Sequence, residues 1–416
     1  MAFIPPPIDE NELELYLPDV GRGIDKWVDY RFNSHFTTPT DAFSLTVAGD
    51  ALDPVMEDGL VCGARVMLRV AGCTQATGFI DSVDRDGTVG EGTTWHLEGR
   101  DMIGQAVDSG IDPRIQFKDT EHLSDLLRRV YTPFGWSRDD QFIVDAAADQ
   151  EIKTGRKLTK PRPPAKHPRK SKLPQLKPNP GEGAHEFAVR VAKRFGLTIW
   201  PSADGERIIV GKPYFDQYPT YRLVRRKRGD LRENNIVTAK AKFSIADQPS
   251  VIVADGVGGG NEFGKSKLRC IMVNPAVLSD NDELARISRE NPRSKVIYPI
   301  TNGTVMAYTP LRNPRAKPLY IHDENSKTLE QLEEFTRRSM MERVRKTLTY
   351  NATVVGHSQL DASGNPVPWA IDTVVDVYDE VTNVVEPMWI LSRTFGRGLS
   401  GTFTELEMIR LYSLEL

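Results

Sequence analysis

Short stretches of alternating apolar and polar residues, separated by turn sequences, constrain the fold of this chain more than any other feature. Clear examples are residues 45–48 (Leu-Thr-Val-Ala) and 66–70 (Val-Met-Leu-Arg-Val). The turn sequence at 84–87 (Asp-Arg-Asp-Gly) precedes another candidate strand at 92–98. Turns spaced about ten residues apart between β-branched runs are typical of small barrels and sandwiches. We therefore predict a first β-barrel domain over residues 1–115.

The spacing of apolar residues becomes helical after residue 116. One helical face is formed by Leu123, Leu126, Leu127 and Val130, with Thr120 as the expected N-cap. A second helix is predicted to end at Gly196, and a hairpin is predicted to turn at Asp204-Gly205. We therefore predict a small α/β domain over 116–212, interrupted by a basic, Pro-rich loop at 152–181.

That basic loop has an unusual composition. It carries ten Lys/Arg residues and no acidic residue between Lys153 and Lys177. Such a segment cannot bury enough apolar surface to fold alone, so an extended, solvated loop is the favoured interpretation. The functional alternative is an arm that contacts an acidic neighbour or, less favoured, DNA.

Strand-like alternation returns in the C-terminal half, for example at 237–244. We predict a second β-barrel domain over 213–260 and 348–416. Between its parts we predict an irregular insertion, 261–347, which contains a long helix from about 328 to 347. The predicted fold class is mainly β with α+β elements: two tube-like β-barrels flank the small α/β domain, with the insertion and one long helix in addition.

The two predicted barrels share a sequence pattern. Gly92-Thr93 and Leu97-Glu98 are separated by three residues, as are Gly401-Thr402 and Leu406-Glu407. Upstream landmarks keep the same order: Phe79-Ile80 matches Trp389-Ile390, and Val66-Met67 matches Val374-Val375. We interpret this as an internal duplication. Two similar barrels in each chain would let a trimer present six similar units around one axis.

Composition argues against several classes of function. The formal net charge is −3, from 54 Lys/Arg and 57 Asp/Glu, so the whole chain does not bind polyanions by its charge. The cysteines, Cys62, Cys73 and Cys270, form no CxxC pair, so neither a zinc site nor a disulfide framework is predicted. No apolar run approaches the roughly 18 residues of a membrane-spanning helix, and the N-terminus does not resemble a signal peptide. We expect no cofactor, no metal and no membrane insertion.

Residues 259–266 (Gly-Gly-Asn-Glu-Phe-Gly-Lys-Ser) match the P-loop pattern GxxxxGK(S/T) and follow a strand-like run at 251–254. A P-loop needs a helix directly after it, whose N-terminus binds the phosphates. The following residues, 268–274, are β-prone, and Pro275 would break a helix. We therefore predict a loop at 259–266 and not a nucleotide site.

Charged and polar residues near strand ends are the candidates for contacts with other subunits. Arg100 and Asp101 follow the strand at 95–98, where they could form a charged pair at a subunit edge. An ordinary turn ion pair, worth under about 1 kcal/mol, is the simpler alternative. By the logic of exposed strand edges, the candidate interface residues are Arg100, Asp101, Asp81, Thr402, Thr404 and Glu405. No catalytic residue is predicted.

Taken in order, several loosely defined pieces resemble the baseplate hub proteins of Mu-like phages, the tail protein P or late-control-D-like family. They span nearly the whole chain. The matching pieces are 43–47, 77–81, 97–101, 107–109, 123–135, 181–187, 196–197, 204–205, 210–213, 312–321, 354–357 (with His357) and 401–406. The basic loop and residues 256–266 have no counterpart in this resemblance.

The resemblance implies a non-enzymatic, homotrimeric hub built of tube-like barrels. It implies contacts with the tail tube and other baseplate proteins above and with a spike protein below, and a place in the virion tail after assembly in the host cytoplasm. It implies no small-molecule substrate and no nucleic-acid partner. Two alternatives remain open at this point: a polyanion- or cell-surface-binding tail module that uses the basic arm and, least favoured, a P-loop nucleotide-binding protein.

Overall fold

The computed structural model describes most of the chain. The described residues are 12–88, 92–114, 122–144, 178–193, 196–202, 204–228, 231–244, 246–261, 264–274, 289, 295–297, 300–301, 304–305, 317–324, 326, 328–398 and 401–414. Most of the basic loop, 152–177, lies outside them, as does Thr120.

The N-terminal region supplies seven strands to a thirteen-stranded main sheet. This first half-sheet comprises β1 (Leu13–Leu17), β2 (Arg22–Ile24), β3 (Asp29–His35), β4 (Ala42–Ala48), β5 (Arg65–Val70), β6 (Cys73–Thr88) and β7 (Gly92–Asp101), with helix α1 (Pro54–Gly59) between β4 and β5. In β3, Tyr30, Phe32 and Ser34 are buried while the residues between them are exposed. This is the alternation expected of a strand with one buried face.

A small α/β region follows. It comprises α2 (Ile103–Asp108), α3 (Leu123–Tyr131), β8 (Phe142–Val144), α4 (Ala184–Lys193), β9 (Thr198–Pro201) and β10 (Ile208–Gly211). The four apolar residues predicted to share a face of α3 are all buried. Gly196 adopts a φ of 69°, the left-handed conformation expected after the second helix. Its three strands form a separate sheet in the order β8-β10-β9.

The middle of the chain contributes two strands to the main sheet and then forms a sheet of its own. The elements are β11 (Tyr221–Arg225), β12 (Ile236–Phe243), β13 (Val251–Asn261), β14 (Gly264–Val273), β15 (Lys295–Ile297), β16 (Ile300–Thr301), β17 (Thr304–Val305), β18 (Pro318–Asp323) and α5 (Leu329–Arg345). The predicted long helix is α5, and Thr328 caps it.

One expected assignment needs correction. We placed 251–260 in the second barrel, but β13 pairs with β14 and β18 in the insertion's own sheet. Ile252 and Ala254 of β13 pack with residues of α5 in a separate hydrophobic cluster. Local alternation predicted a strand here, but burial against α5 decided which sheet it joins.

The C-terminal region completes the main sheet. Its strands are β19 (Leu348–Val355), β20 (Ser358–Leu360), β21 (Pro366–Pro368), β22 (Val374–Asp379), β23 (Val384–Gly398) and β24 (Gly401–Arg410). We call β11, β12, β19, β22, β23 and β24 the second half-sheet; β20 and β21 form a small hairpin apart from it. The predicted mainly-β fold class is confirmed.

The two barrel-like regions are joined edge to edge. β3 pairs antiparallel with β23, from Ser392 opposite His35 to Arg397 opposite Tyr30. Side chains from both half-sheets also belong to one hydrophobic cluster. Among the described helices, none is both long and apolar enough to cross a membrane.

Candidate interface site

Arg100, on β7, lies between two carboxylates of its own chain. Its Nε donates a hydrogen bond to Asp81 Oδ2 at 2.7 Å, and Nη1 and Nη2 donate to the two carboxylate oxygens of Asp108 at 3.0 and 2.6 Å. By accepting these hydrogen bonds, Asp108 and Asp81 raise the pKa of Arg100, and Arg100 lowers the pKa of Asp108. Asp81 is the extra residue where the β6–β7 register shifts between Ile80 and Ser82. The bulge thus directs Asp81 toward Arg100.

Asp101, the neighbour of Arg100, points into the protein and is only 4 % exposed. Its Oδ2 accepts a hydrogen bond from the Asp41 backbone N–H at 2.9 Å, and its Oδ1 accepts one from Gly104 at 3.3 Å. Ser34 donates to Asp41 at 2.7 Å. Burial raises the pKa of both carboxyl groups, and for Asp101 the nearby Asp41 adds to the rise. Asp101 therefore ties β7 to the start of β4 and to α2.

The candidates on β24 also contact their own chain. Thr404 is fully buried and donates to the Gly356 carbonyl oxygen at 2.6 Å. The Thr402 carbonyl oxygen accepts a hydrogen bond from the Gly356 N–H at 3.0 Å. Glu405 accepts from Arg31 Nη2 at 2.6 Å, in an ion pair that reaches across β23 to β3.

The six candidate residues therefore lie in two groups, one around the end of the β6–β7 ladder and one on β24. Asp101 and Thr404 are buried, so their side chains are not offered to another chain. Asp81 and Glu405 keep 44 % and 45 % of their side chains exposed. Contact with a neighbouring subunit stays a prediction for the accessible members.

Sequence reasoning missed a buried cation at the junction of the two half-sheets. Arg393, on β23, is 2 % exposed, and its Nη1 donates to Gln75 Oε1 at 2.6 Å and to the Trp369 carbonyl oxygen. Its guanidinium lies 4.6 Å from the ring centroid of Phe395. Burial lowers the pKa of Arg393, and nearby Asp41 opposes that effect. An Arg inside the apolar run at 388–395 was the available clue.

His357 forms a second buried contact at this junction. Its Nε2 hydrogen-bonds to the Tyr30 hydroxyl at 2.5 Å, and its Nδ1 to Thr404 Oγ1 at 3.1 Å. Burial, assisted by the charge of Arg393, lowers the pKa of His357 to about 3. The imidazole is therefore neutral near pH 7, and it links β3 of the first half-sheet to β24 of the second.

The internal duplication is visible in the two hairpins β6–β7 and β23–β24. Both second strands begin with a glycine in the left-handed region, Gly92 with φ 85° and Gly401 with φ 98°. Both ladders contain a register shift at the same distance from that turn, immediately before Ser82 in β6 and immediately before Ser392 in β23. The predicted match of the two GTxxxLE strands therefore extends to the conformation of the hairpins.

The correspondence reaches individual side chains. Ser82 donates to Glu98 Oε2 at 3.4 Å, and Ser392 donates to Glu407 Oε2 at 3.5 Å.

The predicted match of Val66-Met67 with Val374-Val375 is shifted by one residue in the structure. Val66 lies opposite Gly78 on β6, and Val375 lies opposite Met388 on β23. Counted from the bulge, Val66 therefore corresponds to Val375 and not to Val374.

The loop predicted at 259–266 is wrong for the described residues, because 259–261 and 264–266 are strand, and these residues do not have the backbone of a P-loop. β13 and β14 pair antiparallel there, with Gly260 opposite Lys265 and Asn261 opposite Gly264. β14 then continues as a strand to Val273, where phosphate binding would need a helix N-terminus.

No group of three or more His, Cys, Asp or Glu within the described ranges could hold a metal ion. The groups with strongly shifted pKa values described above bond to one another, or to the backbone, at the half-sheet junction and near α2.

Comparison with protein-family models finds no match, and comparison with curated protein sequences finds none either. Solved structures do match. A tail protein from Neisseria meningitidis aligns with a TM-score of 0.66 at 18 % identity, covering 97 % of this chain and 98 % of that one. The 43 kDa tail protein of prophage MuSo2 from Shewanella oneidensis aligns with a TM-score of 0.65 at 19 % identity, covering 97 % and 99 %.

A chain of the Francisella PdpA–VgrG complex aligns less closely, with a TM-score of 0.50 at 9 % identity, covering 97 % of this chain and 58 % of that one. Identities this low establish a shared fold and nothing finer. Over 97 % of its length, the chain shares the fold of the Neisseria and MuSo2 tail proteins.

Proposed function

We propose that this protein is the structural baseplate hub of a contractile phage tail. It is a homotrimer that adapts the six-fold tail tube to a three-fold spike. The observation that carries the proposal is the duplication: two half-sheets of one chain share hairpin register, bulge position and a Ser–Glu contact. Three such chains supply six similar units around an axis, which is how a trimer can match a six-fold neighbour.

The similar structures support this proposal at the level of fold. Two tail proteins match over nearly their whole length. The likeness to a chain of the PdpA–VgrG complex supports a place in an assembly of several proteins. We place the protein in the virion tail, between tail tube and spike, after assembly in the host cytoplasm.

We assign the hub no catalytic role. His357, Arg393 and the Asp41–Asp101 pair make their hydrogen bonds within the chain, where they hold strands together. Of the candidate interface residues, we propose that Asp81, Arg100, Thr402 and Glu405 lie near contacts with other subunits. The proposed division keeps a first barrel at 1–115, an α/β domain at 116–212 and a second barrel completed by 348–416, except that α2 packs with the α/β domain.

The test is the molar mass of the purified full-length protein by light scattering, alone and after mixing with a candidate spike protein. A trimer, or a complex with three copies of each protein, supports the hub. A monomer at every concentration that also ignores the spike would overturn it.

A further inference from the structure

The end of the β6–β7 hairpin has a free edge. β5 pairs with β6 as far as Phe79, which lies opposite Arg65, and backbone hydrogen bonds with Gly63 and Ala64 extend this contact to Ile80. Beyond the bulge, residues 82–87 of β6 pair with β7 alone within the described part of the chain. Backbone groups along this edge are therefore available for a further strand.

In the second half-sheet the equivalent edge is already covered. Residues 392–397 of β23 follow the matching bulge, and β3 pairs with them antiparallel. Phe395 lies opposite Phe32 there, and both rings are buried. One copy of the hairpin thus receives a strand from within the chain, while the other does not.

The strand equivalent to β3 is β12. Ser44 of β4 lies opposite Glu98, and Asn351 of β19 lies opposite Glu407, so β4 and β19 correspond. β3 pairs with β4 as β12 pairs with β19. β12 is the terminal strand in the main sheet's order, with β19 as its neighbour. The main sheet therefore ends on β12, the equivalent of the strand that covers β23 and that the β6–β7 hairpin lacks.

Transferring the β3–β23 register to β12 and β6 predicts which residues would face each other. Arg31 lies opposite Gly396, and Asn33 lies opposite Thr394. Arg31 corresponds to Lys240 and Asn33 to Lys242 through their partners on β4 and β19. On the hairpin, Gly396 corresponds to Asp86 and Thr394 to Asp84.

The predicted pairs are therefore Lys240 opposite Asp86 and Lys242 opposite Asp84. All four side chains are exposed. Opposite charges in facing positions stabilise paired strands, whereas the internal junction has no such acid–base pairs at the equivalent positions.

The apolar side of β12 points to the same conclusion. Ala239 and Ala241 pack against the main hydrophobic cluster, and Phe243 lies on the same face by strand alternation. Yet Phe243 is 56 % exposed. The same register places it opposite Val83, a partly buried residue that also packs on that cluster. A neighbouring strand would cover both.

We propose that β12 of one copy of this chain pairs antiparallel with residues 82–87 of β6 in a second copy, in this register. The contact is head to tail, and three such contacts close a ring under the proposed hub function, on which this closure rests. In such a ring, β-pairing alternates between the internal β3–β23 junction and the intersubunit β12–β6 junction.

Cysteine cross-linking tests the register in the full-length protein. The exposed Cys62 and Cys73 are first changed to serine. Asp86→Cys together with Lys240→Cys then places two thiols on directly facing residues, about 4.5–5.5 Å apart at Cα, within disulfide range. We expect mild oxidation to give covalent dimers and trimers on a reducing-agent-free gel.

The offset pair Asp86→Cys with Lys242→Cys is the matched control, since diagonal Cα atoms lie about 7–8 Å apart, beyond good disulfide range. Chains with one engineered cysteine control for collisions. A trimer by light scattering with no cross-link, or with equal cross-linking of the offset pair, overturns the edge contact and leaves the hub intact. A monomer without cross-links overturns both. Matched cross-links in ladders beyond three chains keep the edge contact and overturn the closed trimer.

Charge exchange provides an independent test. Lys240→Asp with Lys242→Asp should weaken self-association at least about tenfold, since facing like charges are strongly unfavourable at an interface. Adding Asp84→Lys and Asp86→Lys to the same chain should restore it. The double reversal Asp19→Lys with Asp58→Lys, at exposed sites away from both edges, is the control. If the variant with four charge reversals associates no better than the variant with two, the proposed pairing is wrong.

Discussion

The hairpins β6–β7 and β23–β24 share turn glycines, bulge position and a Ser–Glu contact, but they differ in what covers them. β3 lies along β23, where Phe395 and Arg393 are buried. On β6 the position equivalent to Phe395 holds Arg85, and the position equivalent to Arg393 holds Val83. The guanidinium carbon of Arg85 lies 3.9 Å from the ring centroid of Trp95, and Arg85 is exposed. A duplicated element thus became a buried core in one copy and an accessible edge in the other.

A second difference lies at the outer strands. β1 runs antiparallel to β5, whereas β11 runs parallel to β22. The duplication therefore holds for the strands near the hairpins and is lost farther out. The register of the junctions is set by the four strands β4, β7, β19 and β24, and the outer strands do not take part in it.

The largest expected effect comes from removing the phenyl ring of Phe32, which is buried at the junction of β3 and β23. Phe32→Ala removes a buried ring whose centroid lies 6.0 Å from that of Phe395, so we expect a loss of roughly 3–5 kcal/mol in the free energy of unfolding. Phe243→Ala, on the free edge, should leave that free energy nearly unchanged and weaken self-association instead. Denaturant unfolding and light scattering of both variants separate the two regions. Equal destabilisation would break the comparison.

Arg393→Met tests the buried cation of the second half-sheet. The change keeps the apolar stem but leaves Gln75 and the Trp369 carbonyl oxygen without their donor, so we expect a loss of about 2–3 kcal/mol. Arg31→Met removes an exposed ion pair with Glu405 and should cost under about 1 kcal/mol. Urea unfolding of both variants measures the contrast. A cost for Arg393→Met as small as that for Arg31→Met would refute a structural role for the buried guanidinium.

Because His357 is buried at the junction of the two half-sheets, we expect the free energy of unfolding to depend on pH through this residue. Its pKa falls from an ordinary value of about 6.5 to about 3 on folding, so the unfolded chain binds more protons between these values. The contribution of His357 to the free energy of unfolding is complete above about pH 6.5 and is lost as pH falls toward 3. The limiting slope of that free energy is about 1.4 kcal/mol per pH unit. The raised pKa values of Asp41 and Asp101 act in the opposite direction.

The measurement is therefore the difference between wild type and His357→Gln in free energy of unfolding from pH 7 to 4. The aspartate contributions cancel in that difference to first approximation. We expect the gap between the proteins to narrow as pH falls. A gap that is constant with pH would contradict a buried neutral imidazole.

The smallest effect tests the shared contact. Glu98→Gln and Glu407→Gln each weaken a long Ser–Glu hydrogen bond, so each should cost under about 0.5 kcal/mol, and the two costs should agree. Thermal unfolding of the pair is sufficient. A clear inequality would show that the two half-sheets do not use this contact alike.

Much of the local structure could be predicted from the sequence. The helix predicted from the spacing at 123–130 and the long helix predicted from about 328 to 347 are both present in the structure. The β-prone residues after 266 did form a strand and excluded a P-loop. Of the candidate interface residues, two proved buried, because a polar side chain near a strand end carries no local mark of the groups packed over it.

By itself, the sequence determined most of the strands and helices and showed that one region repeats another. These features depend on residues close together in the chain, through alternation, spacing and turn chemistry. The sequence misplaced the turn of the first hairpin, because the predicted turn at 84–87 lies inside β6, where these residues pair with 93–96 of β7. Only the tertiary structure decided that β3 covers β23, that β13 joins α5 and that Arg393 is buried. Those outcomes depend on which distant strands pair, and a pattern of alternating residues specifies the buried face of a strand but not its neighbour.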